Sequence, residues 1–161
     1  MVNAITTQFA RTAATLLAVV MCITGCAVTK PEPRRTDSIY PIWRDVQNYR
    51  IPELRVYYVS SRLSSYWAMG REGVVNHARY VIDAKVDEQM RRELLEVLSR
   101  TKTKPSVYGS DCRSGIHFLD VHGQMLHEIY LNRSGAGAII DYQDVRINRH
   151  LSKWLRRNFK P

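Results

Sequence analysis

The sequence is poor in cysteine, has no long hydrophobic run and lacks acidic residues near its end. It contains three cysteines among 161 residues, and neither Cys-x-x-Cys nor His-Glu-x-x-His occurs, so the usual zinc-binding spacings are missing. Its main apolar run, residues 13–23, is too short to cross a bilayer core as a lasting helix. From Val145 to Pro161 the chain has no Asp or Glu. These absences disfavour a zinc protein and a membrane-spanning protein, and they leave a net charge of +9 to be explained.

The beginning of the chain is organised like an export signal. Arg11 supplies a positive charge, residues 13–23 supply the apolar segment, and small residues follow. The segment ends in Ile23-Thr24-Gly25-Cys26, which resembles the lipobox of bacterial lipoproteins. The resemblance covers only about 26 residues. It implies that residues 1–25 are a signal peptide cut before Cys26, and that Cys26 then carries diacylglycerol and an acylated amino group.

The resemblance also implies a cellular location. Ala27 follows the lipidated position, and in this family a non-acidic residue there usually directs the protein to the outer membrane, with its domain in the periplasm. Two departures from the family pattern are visible. Ile23 replaces the commoner Leu, and Arg11 is the single basic residue where two or three are usual. An ordinary cleaved signal or an uncleaved anchor is the alternative interpretation.

Cysteine usage then leaves a single possible thiol. Cys22 lies within the expected signal and Cys26 is expected to carry lipid, so Cys112 alone remains and no intramolecular disulfide is expected. Its neighbours Asp111 and Arg113 have opposite charges that roughly cancel. We therefore expect Cys112 to be buried and unreactive.

The region after the signal divides into a tether and one domain. Residues 26–38 contain two prolines and five charged residues, which predicts a flexible tether with a reach of about 35 Å. Residues 39–161 have the length of one ordinary domain, long enough to bury a core.

Two amphipathic helices are predicted in this domain. The first covers about 87–100, with Asp87 as the N-cap. Its buried positions are expected to be Met90, Leu94, Val97 and Leu98, at helical spacing. Its solvent side is expected to carry Arg91, Arg92, Glu93 and Glu96. The second helix, near 146–159, is expected to dock through Ile147, Leu151, Trp154 and Leu155.

The remaining patterned segments predict strands. Alternating or β-branched residues mark 54–60, 80–86, 106–108, 115–119, 125–131 and 138–142. In 80–86 the inward residues are expected to be Tyr80, Ile82, Ala84 and Val86. Residues 61–76 fit either a loose helix or a strand. The order predicts an α+β fold, an antiparallel sheet of about 4–6 strands with helices on one face.

Histidines near one predicted hairpin raise a metal hypothesis. If a two-residue turn at His122-Gly123 joins the strands, His117 faces Glu128 and Phe118 faces His127. If the loop has three residues and a bulge, His117 faces His127 and the two could bridge a metal ion. The first register sorts the apolar residues better. His117 and His127 are therefore weak metal candidates, and we expect neither a metal nor another cofactor.

Candidate nucleophiles also lack partners in the sequence. Cys112 precedes His117 by five residues, but no glycine elbow or third member accompanies them. The serines of Ser60-Ser61-Arg62-Leu63-Ser64-Ser65 lack a Ser-x-x-Lys pattern. We therefore expect no catalytic residue and no enzyme activity.

The strongest interaction signal is the basic end of the chain. Its cations are Arg146, Arg149, Lys153, Arg156, Arg157 and Lys160. Such a surface favours anionic partners, but an envelope lipoprotein rarely meets nucleic acid. Three interpretations remain open: a docked helix with solvated cations, a contact with anionic lipid, and recognition of an acidic protein.

The function that best fits these features is a non-catalytic binding module anchored to the envelope. Its expected contacts are the bilayer, through the acyl chains of Cys26, and a protein in the envelope. The alternative is an inhibitor or immunity lipoprotein that neutralises an incoming toxin, and an envelope enzyme ranks below both. Inhibitors of cationic lysozymes need acidic faces, so the positive net charge disfavours that subtype.

Overall fold

The domain is built on one antiparallel sheet. The computed structural model describes residues 32–60, 69–106 and 111–160. In these ranges seven strands hydrogen-bond in the order β2-β1-β4-β5-β6-β7-β3, and every pair is antiparallel. The strands are β1 (Glu53–Val59), β2 (Ala78–Lys85), β3 (Thr103–Pro105), β4 (Cys112–Leu119), β5 (Met125–Asn132), β6 (Gly137–Ile140) and β7 (Gln143–Ile147). The predicted α+β class is confirmed, with more strands than expected.

Four helices accompany the sheet in the described ranges: α1 (Tyr40–Gln47), α2 (Arg71–Asn76), α3 (Glu88–Arg100) and α4 (His150–Asn158). Apolar residues of α1, α3 and α4 share one core cluster with alternate residues of the sheet, such as Leu54 and Val56. We call this side the helical face. Side chains of the intervening strand positions point to the opposite face, where Val74 of α2 packs with Tyr57 and Tyr130. The sheet is therefore covered mainly, but not only, on one face.

Helix α3 forms where the sequence predicts it, because its start signal is local. The Asp87 carboxylate accepts a hydrogen bond from the Met90 N–H at 2.8 Å, and Leu94 and Leu98 are fully buried. The prediction that Arg91 is exposed to solvent is wrong. Arg91 is 8% exposed and its guanidinium donates to the Val46 carbonyl at 2.8 Å. The Val46 carbonyl at the end of α1 also accepts from the Tyr49 N–H at 3.3 Å, so Arg91 adds a second, charged donor there.

The predicted start of the terminal helix is also wrong. Residues 143–147 form β7, and α4 begins at His150 rather than near 146. Val145 and Ile147 are both buried, so this segment has the two-residue period of a strand. Pairing with β6 and β3 satisfies its backbone.

Two predicted strands have different limits. The strand predicted at 138–142 ends at Ile140, because Asp141 and Tyr142 form a two-residue turn with φ values of 43° and 73°. The strand expected at 106–108 lies earlier, at β3, and residues 107–110 are outside the described ranges. The order of strands along the chain is otherwise as predicted.

Strand β2 forms one edge of the sheet, which explains a further difference. Tyr80, predicted to face inward, is 41% exposed, whereas Ile82 and Ala84 are half-buried as expected. Since β2 has a neighbour on one side only within the described ranges, the end of the strand near Tyr80 is less covered than its centre.

The predicted signal peptide and Cys26 lie outside the described residues, as do 26–31 of the predicted tether. The described part of the tether, 32–38, contains turns, and the Ser38 hydroxyl donates to the Gln143 side chain at 2.9 Å. The division at residue 38 stays a prediction. Among the described residues, no helix is both long and apolar enough to span a membrane.

Candidate functional site

The basic terminal helix is docked on the helical face through its apolar side. Leu151, Trp154 and Leu155 are at most 4% exposed, as the spacing predicts. Phe159, just beyond the helix, is also buried and meets the Trp154 ring edge-on, with centroids 5.6 Å apart. This docking leaves the cationic side of α4 in solvent.

The structure brings together five of the six predicted interaction residues. Arg149, Lys153, Arg156, Arg157 and Lys160 are all exposed, on α4 or directly beside it. The sixth residue is exposed on another surface. Arg146 lies between the inward-facing residues 145 and 147 of β7, so its side chain points to the opposite face of the sheet.

Two of these five cations, on or beside α4, already have partners. Arg157 pairs with the Glu93 carboxylate at 3.2 Å, and Arg156 donates to the Arg133 carbonyl at 3.2 Å. Within the described part of the chain, the side chains of Arg149, Lys153 and Lys160 take part in no ion pair or hydrogen bond. These three residues, which we call the free cations, are available to an anionic partner.

A groove of about 270 Å³ separates α3 from α4. It is lined by Glu93, Glu96, Val97, Arg100, His150, Lys153, Trp154 and Arg157. Both carboxylates of the groove already form ion pairs: Glu96 pairs with Arg100 at 2.9 Å, and Glu93 pairs with Arg157. The sequence predicted α3 and α4 separately but gave no signal that Glu93, Glu96 and Arg100 would line a recess together with the basic helix.

The Trp154 indole lies at the buried side of this groove. Its N–H is buried and has no hydrogen-bond partner of normal geometry, although it lies beside the Glu93 carboxylate. Burial raises the pKa of Glu93, but hydrogen bonds from neighbouring side chains and the Arg157 charge outweigh it and lower the pKa overall. Glu93 is therefore ionised, and Lys153 lines the same groove as a free cation.

The hairpin register confirms one of the two predicted arrangements of the histidines. His117 pairs with Glu128, and Phe118 pairs with His127. The loop itself is wider than a two-residue turn, because a bulge follows Phe118 and the Asp120 carboxylate accepts from the His122 N–H. Side chains of paired residues share a face, so His117 and His127 lie on opposite faces and cannot contact one metal ion.

His117 lies among tyrosines on the opposite face. Its Nε2 is 2.6 Å from the Tyr130 hydroxyl and its Nδ1 is 3.3 Å from the Tyr57 hydroxyl. Burial lowers the pKa of His117, the charges of Arg55 and Arg71 add to this effect, and Glu128 opposes it. His117 is thus a neutral, hydrogen-bonded side chain, and both its nitrogens are already engaged.

His127 joins two carboxylates on the helical face. Its Nδ1 is 2.7 Å from Asp141 and its Nε2 is 3.2 Å from Asp45. Burial lowers the pKa of His127, but the hydrogen bonds and charges of Asp141 and Asp45 outweigh it and raise the pKa. Since Asp45 is 5% exposed and also pairs with Arg50, this cluster stabilises the fold rather than offering an open ligand site.

An ion pair on the opposite face was not predicted. Arg71 of α2 pairs with Glu128 of β5, which is 1% exposed. The Arg71 guanidinium also lies 3.7 Å from the ring centre of Tyr142, in the β6–β7 turn. The partners are far apart in sequence, and neither belongs to a recognisable motif.

Cys112 is fully buried, which confirms the prediction. Burial, with the nearby charges of Asp111 and Asp144, raises the pKa of its thiol to about 12. The thiol therefore stays protonated and is a poor nucleophile. Of the candidate serines, Ser61, Ser64 and Ser65 lie outside the described residues, and Ser60 directly follows β1.

Comparison with other proteins gives no functional assignment. No protein-family model, curated protein or solved structure matches the chain. Residues 32–60, 69–106 and 111–160 contain no group of three or more His, Cys, Asp or Glu side chains that could hold a metal ion. The surface of α4 and the groove beside it are therefore the candidate functional site.

Proposed function

We propose that this protein is an outer-membrane lipoprotein whose periplasmic α+β domain is a non-catalytic binding module for an acidic protein of the envelope. The observation that carries the proposal is the exposure of the free cations, Arg149, Lys153 and Lys160, on α4 and directly beside its two ends. Unpaired surface cations contribute little to folding. Their concentration on one side favours a partner of opposite charge.

A protein partner fits this surface better than a lipid surface alone. A basic patch on α4 would be enough for attraction to anionic headgroups. The recess beside Lys153, which Val97 and the Trp154 ring also line, adds a shape and an apolar contact that suit a projecting side chain. Membrane contact is therefore the outcome that a binding experiment must separate from protein binding.

The lipid anchor is tested at its modified residue. Cys26→Ser should abolish incorporation of a palmitate analogue and leave unprocessed precursor, because the acyl chains are attached through this cysteine. Several acyl chains give stable anchoring, whereas one chain is marginal. Metabolic labelling of wild type and Cys26→Ser, with Cys112→Ser as the matched control, measures this. Equal labelling of wild type and Cys26→Ser would refute the lipoprotein proposal.

The binding surface is tested by charge reversal. The wild type should capture the partner from solubilised envelopes. A variant with Glu in place of Arg149, Lys153 and Lys160 should no longer capture it. A control variant with the same change in net charge carries Glu at Lys85, Lys104 and Arg146, which are exposed elsewhere. Both variants should unfold within about 1.5 kcal/mol of wild type, because each of the three surface substitutions changes the free energy of unfolding by at most about 0.5 kcal/mol.

The control should retain the partner, and capture by the wild type should weaken at high salt. Equal loss in both variants would point to net charge alone and contradict the proposed surface. Flotation with anionic liposomes, without loss of protein capture in the α4 variant, would assign these cations to the membrane instead. Capture of an incoming toxin would identify the protein as an inhibitor or immunity protein.

A further inference from the structure

The two edges of the sheet differ in how well they are protected. Strand β3, at one edge, has three residues and ends at Pro105, which has no N–H to donate. Strand β2, at the other edge, has eight residues and carries Tyr80 and Val81, which are 41% and 53% exposed. Proteins usually shorten or block an edge strand, because a free edge can pair with another chain. Within the described ranges, β2 has β1 as its single neighbour.

The backbone of β2 directs hydrogen-bonding groups away from the sheet. The Val86 N–H, just after β2, donates to the Pro52 carbonyl, just before β1, at 2.8 Å. In an antiparallel pair, residues that bond to the neighbouring strand alternate with residues whose N–H and C=O point away from it. The register is regular from Val86 back to Tyr80. By this alternation, Val81 and Asp83 present their N–H and C=O groups outward, where a further strand can bond to them.

The side chains of β2 complement those of a second β2 that runs in the opposite direction. When Val81 lies opposite Val81 of the second copy, Arg79 of each strand lies opposite Asp83 of the other. The same register places Tyr80 opposite Ile82. Pairs of opposite charge and pairs of apolar side chains both stabilise neighbouring strands. The outward-pointing residue Val81 then meets its own copy, so the backbone groups on the two strands also match.

Neighbouring registers of the same two strands are less favourable. Centring the pair on Ile82 places Arg79 opposite Lys85, which brings two cations together. Centring it on Asp83 or on Arg79 places two identical charges opposite each other, and like charges in this position are destabilising. A centre at Tyr80 pairs neither Arg79 nor Asp83 with an opposite charge. The charges of β2 therefore select the register that is centred on Val81.

Asp83 can accept a second cation although it already has one partner. Its carboxylate pairs with Arg55 of β1 at 2.6 Å, and both side chains are exposed. A carboxylate has room for several donors, so Arg79 of a second copy can approach from the open side. Arg79 is itself exposed, with its guanidinium 5.4 Å from the Tyr80 ring centre. The register of β1 and β2 shifts beside Arg79, so its long side chain rather than its backbone makes the contact.

We propose that the protein forms a symmetric dimer in which the two copies of β2 pair antiparallel about Val81 and join the two sheets into one. A second copy fits this edge because one strand supplies both members of each charge pair. The interface uses none of the cations of α4, so the proposal does not rest on the proposed function. A single pair of strands buries less area than an obligate dimer, so the dimer should dissociate on dilution.

The test measures the oligomeric state of the full chain in detergent by sedimentation equilibrium over a range of protein concentrations. Val81→Lys places two ammonium groups opposite each other at the centre of the pair, so it should weaken dimerisation at least about tenfold. Val121→Lys is the matched control, because it makes the same substitution at another exposed valine, in the β4–β5 loop. It should dimerise like the wild type. Since both positions are exposed, both variants should fold, which circular dichroism checks.

Two further substitutions test the register. Arg79→Glu places two acidic side chains opposite each other at both ends of the pair and should weaken dimerisation about fivefold, whereas Arg79→Lys should stay within about twofold of wild type. Val81→Cys should form a disulfide-linked dimer on mild oxidation. Directly opposite residues that bond to each other have Cα atoms about 5.5 Å apart, which suits a disulfide. Val121→Cys should not form one.

A wild type that stays monomeric at every concentration would overturn the proposal, as would equal dimerisation of wild type and Val81→Lys. Equal cross-linking of Val81→Cys and Val121→Cys would also contradict it. If the wild type is monomeric but Val81→Lys no longer captures the envelope partner, the edge belongs to that partner and the dimer is refuted. The charge-reversal variants of α4 test the proposed function separately.

Discussion

Replacing Arg71 with methionine should destabilise the domain by about 3 kcal/mol, because it leaves the buried Glu128 carboxylate without its cation. The Glu128 side chain is 2% exposed and that of Arg71 is 26% exposed. Methionine keeps much of the aliphatic volume, so the loss is mainly electrostatic. The change also removes the stacking of the guanidinium on Tyr142. Urea unfolding at neutral pH measures the effect.

Two further variants distinguish the effect of losing the Arg71–Glu128 ion pair from the effect of losing any arginine. Arg79 is exposed and its guanidinium lies 5.4 Å from the Tyr80 ring centre, without a buried carboxylate beside it. Arg79→Met should therefore change the free energy of unfolding by less than about 0.5 kcal/mol. Adding Glu128→Gln to Arg71→Met should recover part of the lost stability, since the uncompensated charge is removed. A double variant less stable than Arg71→Met would argue against the ion-pair explanation.

Replacing His127 with glutamine should destabilise the domain by about 2 kcal/mol near pH 6, where the histidine donates charged hydrogen bonds to Asp141 and Asp45. The pKa of His127 is raised in the folded protein. Its charged form therefore stabilises the fold fully below the unfolded pKa of about 6.5, and this contribution is lost as the pH rises through the folded pKa. The difference between wild type and variant should shrink toward alkaline pH.

Urea unfolding at a series of pH values from about 6 to about 9 measures this dependence across the relevant range of His127. His122→Gln is the matched control, because His122 is exposed in the β4–β5 loop. It should change neither stability nor its pH dependence appreciably. A destabilisation by His127→Gln that stays constant over the whole range would show that the hydrogen-bonding shape of the ring, rather than its charge, supports the fold.

The parts of the fold that the sequence predicts correctly are those specified by neighbouring residues. Asp87 caps α3 through a residue three positions later, and the alternation of apolar residues places β4 and β5 in register. The beginning of α4 was misplaced because Ile147 fits both a helical spacing and a two-residue period. The segment that contains Ile147 forms a strand because it pairs with β6 and β3, and this pairing exists only in the tertiary structure.

The candidate site was predictable in its charge but not in its shape. The cations of α4 are evident in the sequence because no acidic residue interrupts them. The sequence did not show which of these cations would be free. Arg146 points to the opposite face of the sheet, Arg157 pairs with Glu93, and Lys153 has no partner in the described residues. The groove exists because α3 and α4, more than 40 residues apart, pack side by side. Such contacts depend on the complete chain path and leave no local pattern.

The β6–β7 turn connects the two sides of the sheet through two adjacent residues. Asp141 accepts from the Glu128 N–H and contacts His127 on the helical face, while Tyr142 stacks on Arg71 at the opposite face. Both residues have positive φ values, a costly conformation that these contacts must hold in place. The turn thus links the side-chain clusters on the two faces of the sheet. We therefore expect changes at Arg71 and His127 to have coupled rather than additive effects on the free energy of unfolding, because both clusters depend on this turn.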